Sequence, residues 1–182
     1  MPSKKANSRP AVSRPASQSR FILPGSEKPS LPEPSRQKPA PPSGRLTVSV
    51  VVRCKHPLKA ANCLGKERLT RTRFRQLHGP DPNALKLLRA FAREYGLAVQ
   101  PGTPRPGSCI VKLTGTVAAM QRAFGIALIH NTDEAATYRV RQGNITLPPE
   151  LSGHVEAVLG LDNRPQAQPH FRIAGQPGNL AA

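Results

Sequence analysis

Tryptophan is missing altogether, and five Phe with two Tyr bring the aromatics to only 4% of 182 residues. Acidic residues are nearly as scarce, with ten Asp and Glu against 27 Lys and Arg. So few carboxylates leave little from which to build the paired acids of general acid–base chemistry. No P-loop, Rossmann glycine pattern, HExxH or GxSxG occurs. No run approaches the ~18 apolar residues of a membrane-spanning helix. Cysteine is limited to Cys54, Cys63 and Cys109, an odd number at spacings that match no zinc or redox motif. Such thiols are expected to pack as small apolar residues, with one bridge possible. The sequence thus predicts no catalytic residue, no metal and no cofactor.

What is abundant is proline and positive charge. Ten of the 21 prolines fall in residues 1–45, among Ser, Lys and Arg, and FILPG (21–25) is the one apolar cluster there. Fixed φ angles, missing N–H donors and low apolar content predict a disordered basic arm over 1–45. The arm has nine Lys/Arg against two acids, net +7, and the remainder 18 against eight, net +10. With both parts basic, the charge is not gathered into one nucleic-acid tail. It implies either a solvated surface or an acidic partner. MPSKKANSRP at the amino terminus has charge but no apolar stretch behind it, so no Sec signal is predicted and the compartment is left open.

Beyond the arm the pattern alternates between strand and helix signals. LTVSVVVR (46–53) is β-branched and reads as a strand. LTRTRFRQLHG (69–79) gives a short helix with Thr70 as N-cap and Gly79 as stop. The clearest helix starts at Asp81 and Pro82 and ends at Gly96. Its apolar face is Leu85, Leu88, Ala92 and Tyr95, widened by Leu87 and Phe91, with Lys86, Arg89 and Arg93 opposite. A short strand (96–101) follows. In SCIVKLTG (108–115), Cys109, Val111 and Leu113 share one face and Ile110, Lys112 and Thr114 the other. Then come a helix over 116–125, a hairpin of 126–131 with 137–141, one helical turn at LPPEL, and a last strand, VEAVLGLD (155–162).

Reduced to its main pieces this is β-α-β-β-α-β, the α+β, ferredoxin-like (split βαβ) arrangement: an antiparallel sheet with two helices on one face and the other face free for a partner. Boundaries are expected at 45 and 162, with 163–182 a linker-like extended tail spaced by prolines. Fold alone does not specify function. His56, His78, His130, His154 and His170 are scattered, and Glu150 with His154 reads as a surface pair. Asp133 and Glu134 lie in a hairpin loop where nothing raises a carboxylate pKa. An RNA-recognition module would need aromatics on the central strands, and 46–53 and 108–115 have none. Phosphate binding by charge alone stays open as the alternative function, a basic nucleic-acid-binding module.

Several stretches, in order, resemble the activation domain (propeptide) of the sedolisin family, the kumamolisin-type serine-carboxyl peptidases. They are LPGSE (23–27), TVSVVVR, FRQLHGPDPNALKLLRAFAREYGLAV, LTGTVAAMQRAFGIAL, YRVRQGNITLPPEL and VEAVLGLDNRPQAQPHF. The resemblance implies a ferredoxin-like domain over 46–162 that helps a protease fold and blocks its cleft until acid pH releases it. GLDNRPQAQPHF then corresponds to the linker running towards the protease cleft, held extended by proline. Neither a catalytic domain nor an SGTS-type serine motif accompanies it in this sequence. The implied readings are a propeptide acting in trans, a remnant of a split gene, or part of a longer precursor.

The implied partner is a sedolisin-family catalytic domain, with no membrane role. A basic domain would be steered to an acidic protease face, and acid would protonate the partner's carboxylates and charge the histidines. Candidate contacts are Arg71, Arg73 and Arg75 on the short helix and Arg139 and Arg141 on the hairpin. Asp162, Asn163, Arg164, His170 and Phe171 are candidates in the linker.

Overall fold

The computed structural model describes residues 19–28, 36–56, 69–132 and 137–164. In chain order the elements are β1 (Phe21–Ile22), β2 (Arg36–Pro39), β3 (Arg45–Val52), α1 (Arg71–His78), α2 (Pro82–Glu94), β4 (Ala98–Val99), β5 (Ile110–Thr116), α3 (Val117–Phe124), β6 (Ala127–Thr132), β7 (Thr137–Gln142), β8 (Thr146–Leu147), a 3-10 turn (Pro149–Leu151) and β9 (Val155–Leu159). The main sheet is antiparallel in the order β4-β5-β3-β9. That is the ferredoxin-like order, with the first and third sheet strands of the chain side by side in the middle.

Alternation along the strands decides what the sheet buries. Leu46, Val48, Val50 and Val52 of β3, with Val111 and Leu113 of β5, face inward; their neighbours in sequence do not. Onto that face α2 lays Ala84, Leu88, Phe91 and Ala92, and α3 lays Val117, Met120, Ala123 and Phe124. The buried α2 stripe adds Ala84 to the expected Leu88 and Ala92 and includes Phe91, while Leu85, Leu87 and Tyr95 flank it, half-buried. Phe91 packs on Phe124 at 5.7 Å and on Tyr95 at 4.9 Å between ring centroids. Each large side chain so buried contributes about 1.5–3 kcal/mol.

Both helices begin as the sequence indicates. Asp81 accepts a hydrogen bond from Asn83 N, and Thr116 accepts one from Ala119 N. Gly125 closes α3 at φ 63°, where a Cβ would meet Thr146 Oγ1 at 2.0 Å, so only glycine fits. Gly115 is required for a different reason: a Cβ there would come within 2.5 Å of Leu97 Cδ2, between β5 and the helical layer.

The hairpin β6–β7 forms, but in a separate three-stranded sheet with order β2-β6-β7. Its outer strand comes from the stretch expected to be a disordered arm. Residues 19–28 and 36–45 are built into the fold, so the boundary at 45 falls too late; residues 1–18 and 29–35 lie outside the described residues. Two long-range contacts override the local composition. β1 pairs with β8 and places Leu23 in the core at 3% exposure, while Arg20 donates to Thr146 Oγ1, Tyr95 OH and the carbonyls of Thr146 and Ala123. β2 is an edge strand ending at Pro39, a position where proline removes no ladder bond. The open question of a bridge is answered by a Cys54–Cys109 disulfide; Cys63 is outside the described residues.

Candidate docking face and chain exit

The side of the main sheet turned away from the helices presents three cross-strand rows, bordered at one end by the exposed Arg45 opposite Thr116. Thr114 lies between Thr47 and Ala98, Ser49 between Lys112 and Leu159, and Val51 between Ile110 and Ala157. Ile110 is 41% and Leu159 55% exposed, so two large aliphatic side chains stand in water here. Lys112 is the single ionic side chain in the three rows, in a chain of net charge +17. Thr47 and Thr114 join hydroxyls at 2.8 Å across the strands. None of these residues is aromatic, so the face offers no platform for base stacking.

At one end of that sheet the chain leaves β9 and crosses β7. Leu161 is buried at 2%. Asn163 N donates to Arg139 O at 3.0 Å, and Arg139 N returns a bond to Asn163 Oδ1. Arg141 N donates to Asp162 Oδ2 at 3.3 Å. The side chains complete the latch. Arg139 donates to Leu161 O and Gly160 O, and Arg141, 6% exposed, donates to Ser26 O and Gly143 O.

The Asp162 side chain is 5% exposed, with Lys28 Nζ at 3.1 Å and Arg164 Nη2 at 3.0 Å. Arg164 N also donates back to Asp162 Oδ1 at 3.0 Å, a tight local turn. Burial pushes the Asp162 carboxyl up. Hydrogen bonds from Arg164, Lys28 and the Arg141 N–H outweigh it and hold the group at about 2. Burial lowers Arg139 and Arg141, with the Asp162 charge acting against it. Both remain cationic, as guanidinium does in proteins.

These placements divide the expected contact residues. Arg139, Arg141 and Asp162 spend their side-chain bonds inside the domain, with Asn163 and Arg164 in the same network. Arg71, Arg73 and Arg75 stand exposed on α1. His170 and Phe171 lie outside the described residues. His154 faces Asp81, at 3.7 Å, rather than Glu150. Sequence reasoning missed Lys28 and Ser26, whose roles depend on residues more than a hundred positions away, and carry no local signal. Ile110 is legible as an outward member of an alternating strand; Leu159 is not, because the register shift opposite Val51 and Val52 breaks the period of two in β9.

The family model described as the pro-kumamolisin activation domain matches residues 35–164. The chain belongs to this family. Among curated proteins it is similar to Kumamolisin from Bacillus sp. (strain MN-32), 31% identical over 163 residues. That match covers 85% of the chain but 29% of the relative, so the chain spans under a third of Kumamolisin's length. The kinship is thus to the activation domain of a sedolisin-type protease, a domain whose family implies association with a protease catalytic domain.

Proposed function

We propose that this activation domain docks by the uncovered face of its main sheet on a kumamolisin-type catalytic domain, assists its folding and keeps it inactive until acid releases it. The catalytic Glu, Asp and Ser belong to that partner, supplied in trans or by a longer precursor, and this chain contributes no peptidase residue of its own. The observation carrying the reading is the open face: three nearly uncharged rows with Ile110 and Leu159 in water, on a protein otherwise crowded with cations. Covering these half-exposed side chains recovers roughly half of the 1.5–3 kcal/mol that full burial of each is worth. A standard interface of about 1,600 Å² could include the whole sheet face.

The exit latch supports the same reading from another side. By clamping residues 162–164 to β7 it sets the point from which 165–172 depart, and a proline-spaced segment starting from a fixed point loses little entropy on entering a cleft. Release in acid then comes from the interface rather than from the latch, because Asp162 is still ionised where ordinary carboxylates take up protons.

The test is to add the purified chain to a separately produced Kumamolisin catalytic domain and follow peptide hydrolysis, with Leu159→Asp and Ile110→Asp in parallel. Inhibition near neutral pH that fades in acid, and is lost in both variants, is the expected result. Full inhibition by both sheet-face variants would remove the docking reading. The folding role is read from the yield of active catalytic domain refolded with and without the chain.

A further inference from the structure

Helix α1 differs from α2 and α3 in composition and in what holds it. It carries Arg71, Arg73, Arg75 and His78, has no acidic residue in its first turn, and buries only His78. Two arginines near the amino terminus face the positive end of the helix dipole, an arrangement unfavourable by about 0.3–1 kcal/mol per charge. Among the described residues no carboxylate pairs with any of the three. Only Arg75, in the last turn, is placed where the helix dipole favours a cation.

The helix is nonetheless held at both ends. Thr70 caps it by accepting from Arg73 N, Phe74 packs on His78 at 5.1 Å, and His78 Nδ1 lies 2.6 Å from His56 O. Lys55 N donates to Gly79 O, Cys54 bridges to Pro80, and Cys54 is disulfide-bonded to Cys109. These ties fix α1 where β3 leaves the sheet and β5 enters it, the end occupied by the Val51–Ile110 row of the open face. Between α1 and the turn before β5 is a cleft. Leu69 (44% exposed), Phe74, Pro106 and Gly107 form its apolar lining, with Arg71 and Arg75 beside them. Gly107 sits at φ 79°, where glycine is favoured, and a Cβ there would also press on Arg75 Cγ at 3.0 Å.

We propose that this cleft takes an acidic segment of the protein partner: an apolar side chain against Leu69, Phe74 and Pro106, and carboxylates paired by Arg71 and Arg75. This rests on the docking reading above, because a protein seated on the sheet face reaches α1 through the Ile110 row. It assigns the acid-sensitive part of the interface to the α1 corner and the acid-insensitive part to the aliphatic rows. The charged and titratable groups around the corner are His78 on α1, Arg53, Lys55 and His56 from the segment after β3, Arg105 from the turn, and Asp81 at the start of α2, already used as a cap and facing His154. Apart from the capping Asp81 every group in this set is basic, so acid removes no positive charge from it. A contact that weakens in acid therefore loses its charge on the partner, whose carboxylates titrate near about 4.

The experiment uses the 15N-labelled chain and the synthetic peptide Glu-Glu-Leu-Phe-Glu-Glu, with amide shifts followed at about pH 7 and about pH 4. Shifts confined to 69–78 and 105–107 near neutrality, absent in acid and at least roughly tenfold weaker in binding for R71Q/R73Q/R75Q, are expected. Because all three positions are exposed and glutamine is a good helix former, the variant keeps its fold, checked by an unchanged melting temperature. Shifts centred instead on Lys86, Arg89 and Arg93, or indifferent to the triple variant, overturn the proposal. Equal binding of a short oligothymidylate to the same residues at both pH values overturns the assignment to a carboxylate partner, since phosphodiesters do not protonate in that range. If the peptide binds as expected but the chain fails to inhibit the catalytic domain, the docking reading falls and the cleft stands. If sheet-face variants abolish inhibition while the triple variant inhibits like the parent at both pH values, the reverse holds.

Discussion

Two ends of one sheet use arginine in opposite ways. At the chain exit, Arg139, Arg141 and Arg164 are surrounded by carbonyls and by a desolvated Asp162, and every charge has a partner. At the α1 end, Arg71, Arg73 and Arg75 are exposed and face no described carboxylate, and Arg71 and Arg73 oppose their own helix dipole. The same residue type thus builds structure at one end and, among the described residues, stands without a carboxylate at the other. Composition cannot separate these roles; only the distance to the nearest acceptor does.

Mutations can break this contrast, and the largest expected effect is at the α1 end, where the tie is covalent. Removing the Cys54–Cys109 disulfide, whose cysteines are 55 residues apart, should cost on the order of 4 kcal/mol in the chain-entropy account. Denaturant unfolding of the C54S/C109S variant against the parent measures it, and amide exchange should show α1 loosening while residues 160–164 stay protected. Loosening at the exit instead would mean the two ends are not independent.

Next in size is Asp162→Ala, which strands Lys28 and Arg164 beside a buried hole. A loss of about 2–3 kcal/mol is expected, read as a clear fall in melting temperature. The pH dependence sharpens the same point. A carboxyl held at about 2 in the fold contributes stability that is complete above the unfolded value of about 3.9 and is lost as pH falls through about 2. The parent should keep this contribution at pH ~4 and lose it only below, whereas Asp162→Ala shows no such step. A step centred near ordinary carboxylate values would contradict the latch described here.

Smaller still in stability is Leu159→Asp, within about 0.5 kcal/mol because the side chain is already in water. Its effect belongs to docking, so stability and inhibition should separate in this variant. Smallest is R71Q/R73Q/R75Q, neutral or stabilising by a few tenths of a kcal/mol as the dipole clash is relieved. A marked destabilisation would show that these arginines support the fold after all.

How much of this could be read in the chain varies with the range of the interaction. Asp81-Pro82 and Thr116-Val117 announce helix starts because a cap uses atoms two or three residues away. The inward and outward faces of 46–52 and 109–114 follow from a period of two. By contrast, FILPG and RQKP were submerged in a proline-rich stretch, since their ordering depends on β8 and β6, about a hundred residues on. Arg139 and Arg141 resembled surface charges for the same reason: their acceptors at 160, 161 and near 26 are invisible to any local window.

The sequence by itself determined the alternation of strands and helices, the caps, the bare sheet face and the excess of positive charge, because each follows from neighbours along the chain. The tertiary structure alone decided that the supposed arm supplies two strands, which cysteines pair, and which arginines are spent inside and which stand exposed. Those outcomes turn on desolvation and on acceptors brought together from distant positions, and a charge acquires its role only once the fold has placed something beside it.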